Sequence, residues 1–209
     1  MRADLRSSLQ IQIEDDPYGD CPDPIRSFEE VKLPSYVQAS LEAQGITAPL
    51  PIQAQAIPLV LAGRDVVGLA QTGSGKTLAF LLPAAVYLQQ VSDWNGQSPV
   101  VLILAPTREL AVQIAGEAEK LFQDSKSAEH RWGISTACIY GGGNKWAQQK
   151  QLRWGVHVVA ATPGRLLDFV QTGIISLEEV SYFVLDEADR MLDMGFSDDV
   201  NNIAAQIKQ

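Results

Sequence analysis

The stretch Ala70-Gln71-Thr72-Gly73-Ser74-Gly75-Lys76-Thr77 decides how the rest of the sequence is interpreted. It ends in Gly-Lys-Thr, and the apolar residues 78–82 that follow it indicate a helix. Residues 65–70, directly before the glycines, have the composition of a buried strand. A strand, a glycine-rich loop and a helix in this order are the context in which the P-loop pattern binds phosphate.

Each position of this loop has a chemical reason. Glycines let successive backbone N–H groups approach phosphate oxygens closely, and the following helix N-terminus adds its positive dipole. We expect Lys76 to contact the outer phosphates and the Thr77 hydroxyl to bind Mg²⁺. The alternative, a glycine turn that merely precedes a helix, leaves Gly-Lys-Thr after a strand unexplained. The predicted phosphate-binding set is Gln71, Thr72, Gly73, Ser74, Gly75, Lys76 and Thr77.

Apolar segments and helical patterns alternate along the chain. The predicted strands are residues 65–70, 100–105, 133–139, 157–161 and 182–186, and the predicted helices are residues 76–90, 109–123, 144–153 and 166–171. Strands that are apolar at nearly every position, with helix-length connections, indicate a parallel sheet covered on both faces. We therefore predict an α/β fold with a doubly wound parallel sheet and ligands beyond the carboxyl ends of the strands.

Composition and charge narrow the class of protein to which the chain can belong. The 209 residues are 46% hydrophobic with a net charge of −9, which fits one globular domain at residues 24–209 preceded by a flexible arm at residues 1–23. The acidity argues against a broad positive field for nucleic acid, so any such contact is local and weak in this chain. Two cysteines are too few for a disulfide framework or a metal cage. Without a membrane span or a signal sequence, we expect an intracellular protein with no membrane partner.

A second cluster follows the strand at residues 182–186. Asp186-Glu187-Ala188-Asp189 gathers three carboxylates at the carboxyl end of that strand, and a nearby cation would offset their repulsion. In a P-loop protein this end faces the phosphate loop, so we expect Asp186 to hold Mg²⁺ and Glu187 to orient or deprotonate the attacking water. Taken alone, a solvated helix start explains the cluster as well, since acids favour helix N-termini.

The four residues Asp186-Glu187-Ala188-Asp189, together with a phosphate loop that begins with Ala70, resemble the DEAD-box RNA helicases, in particular their first RecA-like domain. Upstream, residues 45–53 resemble the Q motif, and Phe28 lies at the family's usual distance before it. The resemblance implies that Gln53 hydrogen-bonds the adenine edge while Phe28 packs on the base. Leu50 stands where the family has Thr or Ser.

Three further motifs match in the family's order, each just after a predicted strand. They resemble motif Ia, the GG element and motif Ib, and their predicted RNA-contacting residues are Pro106, Thr107, Arg108, Gly141, Gly142, Thr162, Pro163, Gly164 and Arg165. Threonines at helix N-caps and closely approachable glycines suit the binding of RNA phosphates. Any one of these motifs alone also fits simple capping and turn chemistry.

The resemblance also implies cofactors, partners and an activity. These are ATP and Mg²⁺, RNA, protein regulators, a role for Asp189 in coupling to a second RecA-like domain, a monomeric state, and the nucleus as the favoured compartment. Residues 190–209 contain neither the Ser-Ala-Thr motif III nor a second α/β unit, so we expect that second domain, with its arginine fingers, to be absent. The chain would then bind ATP or ADP with negligible hydrolysis, whereas the parent protein would locally unwind RNA duplexes. The alternative is a non-catalytic RNA clamp or scaffold.

Four tryptophans lie scattered along the chain. Their spacing favours loop and sheet packing over base stacking for Trp94, Trp132, Trp146 and Trp154. His130 and His157 have no ligand pattern around them, and we expect His157 to be a core histidine with its hydrogen bonds satisfied.

Overall fold

The computed structural model describes residues 2–91, 94, 96–128 and 133–207, with the backbone alone for residues 2–4, 127 and 128. The chain divides into two compact units, Met1–Gln90 and Val91–Gln209. The predictions for His130 and Trp132 lie outside the described residues. Across the described part of the chain, no helix combines the length and the apolar character needed to cross a membrane.

The first unit is helical. Its elements are α1 (Arg2–Ser8), a short 3₁₀ helix (Phe28–Glu30), α2 (Ser35–Ala43), α3 (Pro51–Leu61) and α4 (Lys76–Leu88). Proline is at the first position of α3, where its fixed φ fits the helix and its missing N–H is not needed. Helices α3 and α4 pack together through fully buried residues that include Ile57, Leu81 and Leu82.

The predicted strand at residues 65–70 is wrong. Residues 64–70 have no regular secondary structure, and Val67 and Leu69 are 93% and 79% exposed. Apolar composition identifies a segment that can form a strand, but a strand exists only where a second strand supplies its hydrogen bonds. The prediction of the helix after the loop is confirmed, since α4 covers most of residues 76–90.

The N-terminal segment contains an unpredicted helix, α1. Beyond it, the Arg6 guanidinium donates to Gln55 Oε1 at 2.8 Å, to the Pro22 carbonyl at 2.6 Å and to the Cys21 carbonyl at 3.1 Å. Gln55 lies in α3 and is buried, and its Nε2 donates to the Pro22 carbonyl as well. Arg6 therefore ties the start of the chain to α3, while flexibility of residues 1–23 as a whole stays a prediction.

The second unit is built on a parallel sheet. Its strands are β1 (Val101–Leu104), β2 (Thr136–Ile139), β3 (Val158–Ala161) and β4 (Tyr182–Leu185), in the order β2-β3-β1-β4. All three strand pairings are parallel, with Leu104 level with Ala161 on one side and with Leu185 on the other. All four strands fall inside predicted segments, and β2 is the most shortened, by three residues at its start.

Helices cover both faces of this sheet. They are α5 (Arg108–Phe122), α6 (Ser125–Ala128), α7 (Lys145–Leu152), α8 (Pro163–Gln171), α9 (Ala188–Asp193) and α10 (Ser197–Ala204). Helix α5 packs on β2 and β3, whereas alternate strand residues such as Leu102 and Val159 join a core with Phe169 of α8 and Ile203 of α10. Strands buried on both sides explain the continuous apolar runs in the sequence. The predicted α/β fold class is confirmed.

Candidate functional site

The glycine-rich loop of the first unit has the backbone shape that anion binding needs. Gly73 and Gly75 have φ angles of 81° and 84°, in the left-handed region that glycine adopts without strain. Gly75 is the N-cap of α4 and offers no side-chain cap to the helix. The first N–H groups of α4 therefore depend on an outside acceptor, which suits a phosphate group.

Lys76 is held inside this loop. Its ammonium Nζ donates to the Ala70 carbonyl at 2.6 Å and to the Gln71 carbonyl at 3.1 Å. The loop is thus curled around the cation that we expect to meet the outer phosphates. A loop of this curvature, with an ammonium at its centre and Thr77 in the first turn of the helix, fits a nucleotide triphosphate.

Gln53 connects helix α3 to the phosphate loop. Its Oε1 accepts from the Leu50 N–H at 2.9 Å, and its Nε2 donates to the Gly75 carbonyl at 3.0 Å. Leu50, the N-cap residue, has no side-chain oxygen to accept from the first N–H groups of α3, while its own N–H is satisfied by the Gln53 amide. The two bonds fix which end of the amide is which, and they leave one N–H and one lone pair of Gln53 for a ligand.

Phe28 lies on a segment that is attached to the same helix. The N–H of Ile25 donates to the Ala54 carbonyl at 2.9 Å, and Phe28 begins the 3₁₀ helix three residues later. The Phe28 side chain is half-buried. The first unit thus holds both residues of the predicted adenine site on or beside α3.

In the second unit, the predicted RNA-contacting residues follow neighbouring strands at one edge of the sheet. Backbone hydrogen bonds of 2.9 Å run from Thr162 N–H to the Ile139 carbonyl and from Ala105 N–H to the Ala161 carbonyl, so the chain stays paired where the strands end. The three segments at residues 105–107, 140–144 and 162–165, here called the strand-end loops, therefore lie side by side. This is the end at which parallel sheets bind ligands.

Hydrogen bonds organise these strand-end loops. Thr107 caps α5, since its hydroxyl accepts from the Leu110 N–H at 3.3 Å, as predicted. Thr162 occupies the N-cap position of α8, but its hydroxyl makes no cap bond and accepts from the Gly141 N–H at 3.3 Å. The predicted N-cap position of Thr162 is thus correct, while its hydroxyl joins two of the loops.

Three side chains contact the loop at residues 140–144. Arg108 lies over the Tyr140 ring at 4.6 Å from its centroid. Gln148, which the sequence analysis missed, is buried and pairs with both the N–H and the carbonyl of Tyr140 at 3.1 Å. Arg165 donates to the Gly143 carbonyl and to Gln148 Oε1, each at 3.4 Å. One of three glutamines in a polar helix gives no sequence signal for such a role.

An open cavity accompanies the loops. It has a volume of about 320 Å³ and is lined by Gly141, Thr162, Gly164, Arg165 and Phe196. Four of these five residues belong to the predicted RNA-contacting set. The structure therefore gathers the GG element and motif Ib around one concave surface.

The acidic cluster begins directly after β4. Asp186 is 8% exposed, and its N–H donates to the Leu104 carbonyl at 2.9 Å, so the backbone remains part of the sheet. Glu187 is the N-cap of α9 with φ 54° and ψ 49°, a left-handed conformation that is strained for any residue with a Cβ. Its carboxylate is 3.1 Å from the Arg190 guanidinium. Asp189 lies exposed in the first turn of α9.

Burial raises the pKa of two groups near the sheet. The pKa of the Cys138 thiol rises to about 11, first because of burial and second because of the Glu119 carboxylate, with Arg108 opposing the change. Burial also raises the pKa of Tyr182. Both groups therefore stay protonated, and neither is a candidate nucleophile.

The tryptophan prediction is correct for one residue and wrong for two. Trp94 stacks on His157 with 3.8 Å between ring centroids, and His157 Nδ1 lies 3.0 Å from the Ser135 hydroxyl. Trp146 and Trp154 do not pack in a loop or sheet: they are 70% and 85% exposed on and just after α7. The i, i+8 spacing of these two residues fits one side of a helix, but it does not show which side of α7 is exposed.

Comparison with known proteins gives consistent matches. A family model described as DEAD/DEAH box helicase matches residues 50–209. DEAD-box ATP-dependent RNA helicase 20 of Arabidopsis thaliana is 49% identical over 190 residues, which are 90% of this chain and 36% of the relative. The ATP-dependent RNA helicase dbp2 of Sclerotinia sclerotiorum is 50% identical over 188 residues, 90% of this chain and 32% of the relative.

A solved structure is also similar. The crystal structure of the yeast DEAD-box splicing factor Prp28 matches with a TM-score of 0.88 and 32% sequence identity, over 99% of this chain and 48% of that chain. This similarity supports the RecA-like class of the parallel sheet. The chain spans about a third of the length of the two curated relatives.

Proposed function

Because the chain belongs to the DEAD/DEAH box helicase family, we propose that it is the nucleotide-binding part of an ATP-dependent RNA helicase. The parent protein hydrolyses ATP when RNA is bound and separates short stretches of RNA duplex. Both relatives described above are ATP-dependent RNA helicases, which supports this activity. The nucleus is the compartment we propose for it.

The first unit binds the nucleotide. Bound ATP with Mg²⁺ supplies the terminal phosphoryl group that is transferred to water. Residues 71–77 hold the phosphates through backbone N–H groups and through Lys76, and Thr77 offers its hydroxyl to the metal. The remaining N–H and lone pair of Gln53 match the adjacent acceptor and donor on the adenine edge, and Phe28 packs on the base.

The second unit binds RNA and contributes the acidic groups. The strand-end loops offer N–H groups, threonine hydroxyls and Arg165 to phosphate oxygens, and such contacts carry little sequence information. Asp186 would hold the metal. Glu187 orients the attacking water and accepts its proton, and Asp189 couples the unit to a second RecA-like domain.

The 209-residue chain alone binds ATP and hydrolyses it negligibly. Stabilising the charge on the transferred phosphoryl needs an arginine finger, which contributes roughly 10³- to 10⁵-fold in rate. In this family, that residue comes from the second RecA-like domain. Turnover is therefore expected when the second domain and RNA are both present.

The bond between Gln53 Nε2 and the Gly75 carbonyl is the observation that carries the nucleotide assignment. It connects the amide that we propose binds adenine to the phosphate loop. A glutamine that only satisfied the start of α3 would not need this second bond. Its test is competition for a fluorescent ATP analogue on the 209-residue chain. ATP should compete and GTP should not, and Gln53→Ala should remove the difference. Equal competition by GTP on the wild-type chain would contradict the role of Gln53.

The helicase assignment is tested by ATP turnover with the second RecA-like domain fused downstream. RNA should stimulate the wild-type fusion, and Glu187→Gln should abolish turnover while ATP binding persists. Unchanged turnover in Glu187→Gln removes Glu187 from catalysis. A wild-type fusion that binds ATP and RNA without turnover would favour the non-catalytic clamp.

A further inference from the structure

Helix α7 carries an exposed aromatic and basic face. Trp146 and Lys150 lie in α7, Arg153 is its C-cap with helical φ and ψ of −57° and −31°, and Trp154 follows in the turn. Their spacing of i, i+4, i+7 and i+8 is that of one side of a helix. The two indoles are 70% and 85% exposed. Only Gln148 and Leu152 of α7 are buried, and they lie about 180° from this face at 100° per residue.

Each indole is accompanied by a cation of the same face. Lys150 Nζ is 5.7 Å from the centroid of the Trp146 ring, and the Arg153 guanidinium is 5.4 Å from the centroid of the Trp154 ring. Such contacts contribute little at exposed sites, on the order of 0.5–1 kcal/mol. Helix stability alone therefore does not account for two large aromatic side chains left in water.

Charge indicates what kind of partner this face fits. Residues 145–154 contain three cations and no acid, in a chain whose net charge is −9. Flat aromatic surfaces combined with cations are the features with which proteins bind single-stranded nucleic acid. An anionic partner that also offers flat apolar rings matches both features.

The face is fixed to the strand-end loops. Asn144, two residues after Gly142, caps α7 by accepting from the Ala147 N–H at 3.1 Å. Lys145 forms an ion pair of 2.8 Å with Asp168 of α8. Trp146 directly follows Lys145 in the chain. At the helical rise of 1.5 Å per residue, the eight residues from Trp146 to Trp154 span about 12 Å.

We propose that Trp146 and Trp154 form a second RNA subsite, in which each indole stacks on one base of single-stranded RNA continuing beyond the strand-end loops. Lys150 and Arg153 neutralise the phosphates between these bases. The proposal rests on the RNA binding assigned above and extends it to RNA that the loops alone do not reach. Longer RNA should therefore bind more tightly than short RNA.

The test is fluorescence anisotropy with single-stranded RNA of about 5 and about 12 nucleotides at low ionic strength, on the 209-residue chain. Trp146→Ala and Trp154→Ala should each weaken binding of the longer RNA about 5- to 150-fold, the range expected for one lost stack. Binding of the shorter RNA should not change. Trp→Phe at either position should restore most of the affinity, and Gln171→Ala, an exposed change at the end of α8 and away from α7, is the matched control.

The outcomes separate this subsite from the proposed function. If the wild-type chain binds both RNAs equally and the tryptophan variants behave like the wild type, the subsite is overturned while RNA binding by the loops stands. If the variants lose binding to polyglutamate but not to RNA, the face binds an acidic protein and the subsite is overturned. If the wild type binds neither RNA, the RNA assignment itself fails and the subsite fails with it.

Discussion

The Nε2 atom of Gln53 donates a 3.0 Å hydrogen bond to the carbonyl oxygen of Gly75, across 22 residues of sequence. This bond attaches the start of α3 to the last residue of the phosphate loop before α4. Gln53 is 2% exposed, so the bond is shielded from water. A change at either end therefore affects both the helix that we propose reads the base and the loop that we propose holds the phosphates.

Gly75→Ala should destabilise the chain more than the same substitution at a left-handed glycine that has free space around it. A Cβ at position 75 would clash with Gln53 Nε2 and lie 2.8 Å from Leu50 Cδ1, in addition to the strain of φ 84°. Gly63→Ala is the matched control, since its φ is 74° and nothing lies within 4 Å of the added Cβ. We expect losses of about 1 kcal/mol for the control and at least about 2 kcal/mol for Gly75→Ala in urea unfolding. Equal losses would show that the contact with Gln53 is unimportant.

The Glu187→Gly variant should be more stable than the Glu187→Ala variant. Its φ of 54° costs a residue with a Cβ about 1–2 kcal/mol, which glycine avoids, while glycine loses about 0.5–1 kcal/mol through chain entropy. Both variants lose the Arg190 ion pair, so their difference isolates the backbone term. Thermal or urea unfolding should rank Glu187→Gly above Glu187→Ala by about 0.5–1 kcal/mol. The reverse order would rule out backbone strain at this site.

Arg6→Ala should destabilise the first unit. The change leaves the buried Gln55 Oε1 without its donor, and an unsatisfied buried acceptor costs about 1–3 kcal/mol. Arg26→Ala, an exposed arginine of the same unit, is the control and should have little effect. Urea unfolding measures both variants. A loss of less than about 0.5 kcal/mol for Arg6→Ala would mean that the N-terminal segment does not support α3 in solution.

Cys138 should react slowly with iodoacetamide at neutral pH. The thiolate is the reactive form, and a pKa raised from 9.0 to about 11 lowers the thiolate fraction at pH 8 about 100-fold. The Cys21→Ser variant leaves Cys138 as the one thiol. Its alkylation rate should increase about tenfold per pH unit from pH 7 and level off only near pH 11. A plateau below pH 9 would contradict the effect of burial and of Glu119.

The elements with local causes could be predicted from the sequence. Helix α5 follows from its apolar periodicity and the Thr107 cap, and β1 and β3 follow from apolar runs bounded by polar residues. The glycines of the phosphate loop have the positive φ angles that the motif requires. In each case the neighbouring residues in the chain determine the conformation.

The features that depend on distant residues could not be predicted. Residues 65–70 have strand composition, but whether they pair is decided by another segment of the chain. The Thr162 hydroxyl is at the N-cap of α8, where it could accept from an N–H of that helix, but it accepts from the Gly141 N–H, 21 residues away. The exposure of Trp146 and Trp154 required knowing which side of α7 faces the sheet. The left-handed Glu187 has no local signal, because glutamate rarely adopts that conformation.

The bond between the Thr162 hydroxyl and the Gly141 amide makes one backbone proton an intrinsic reporter of the neighbouring loop. The chemical shift of that amide proton depends on the length of a bond whose acceptor lies next to Pro163 and Gly164. An anion that accepts a hydrogen bond from the Thr162 hydroxyl changes the length of this bond. It therefore shifts the Gly141 amide resonance without contacting Gly141. A single ¹⁵N-glycine spectrum of the chain therefore registers events on both loops.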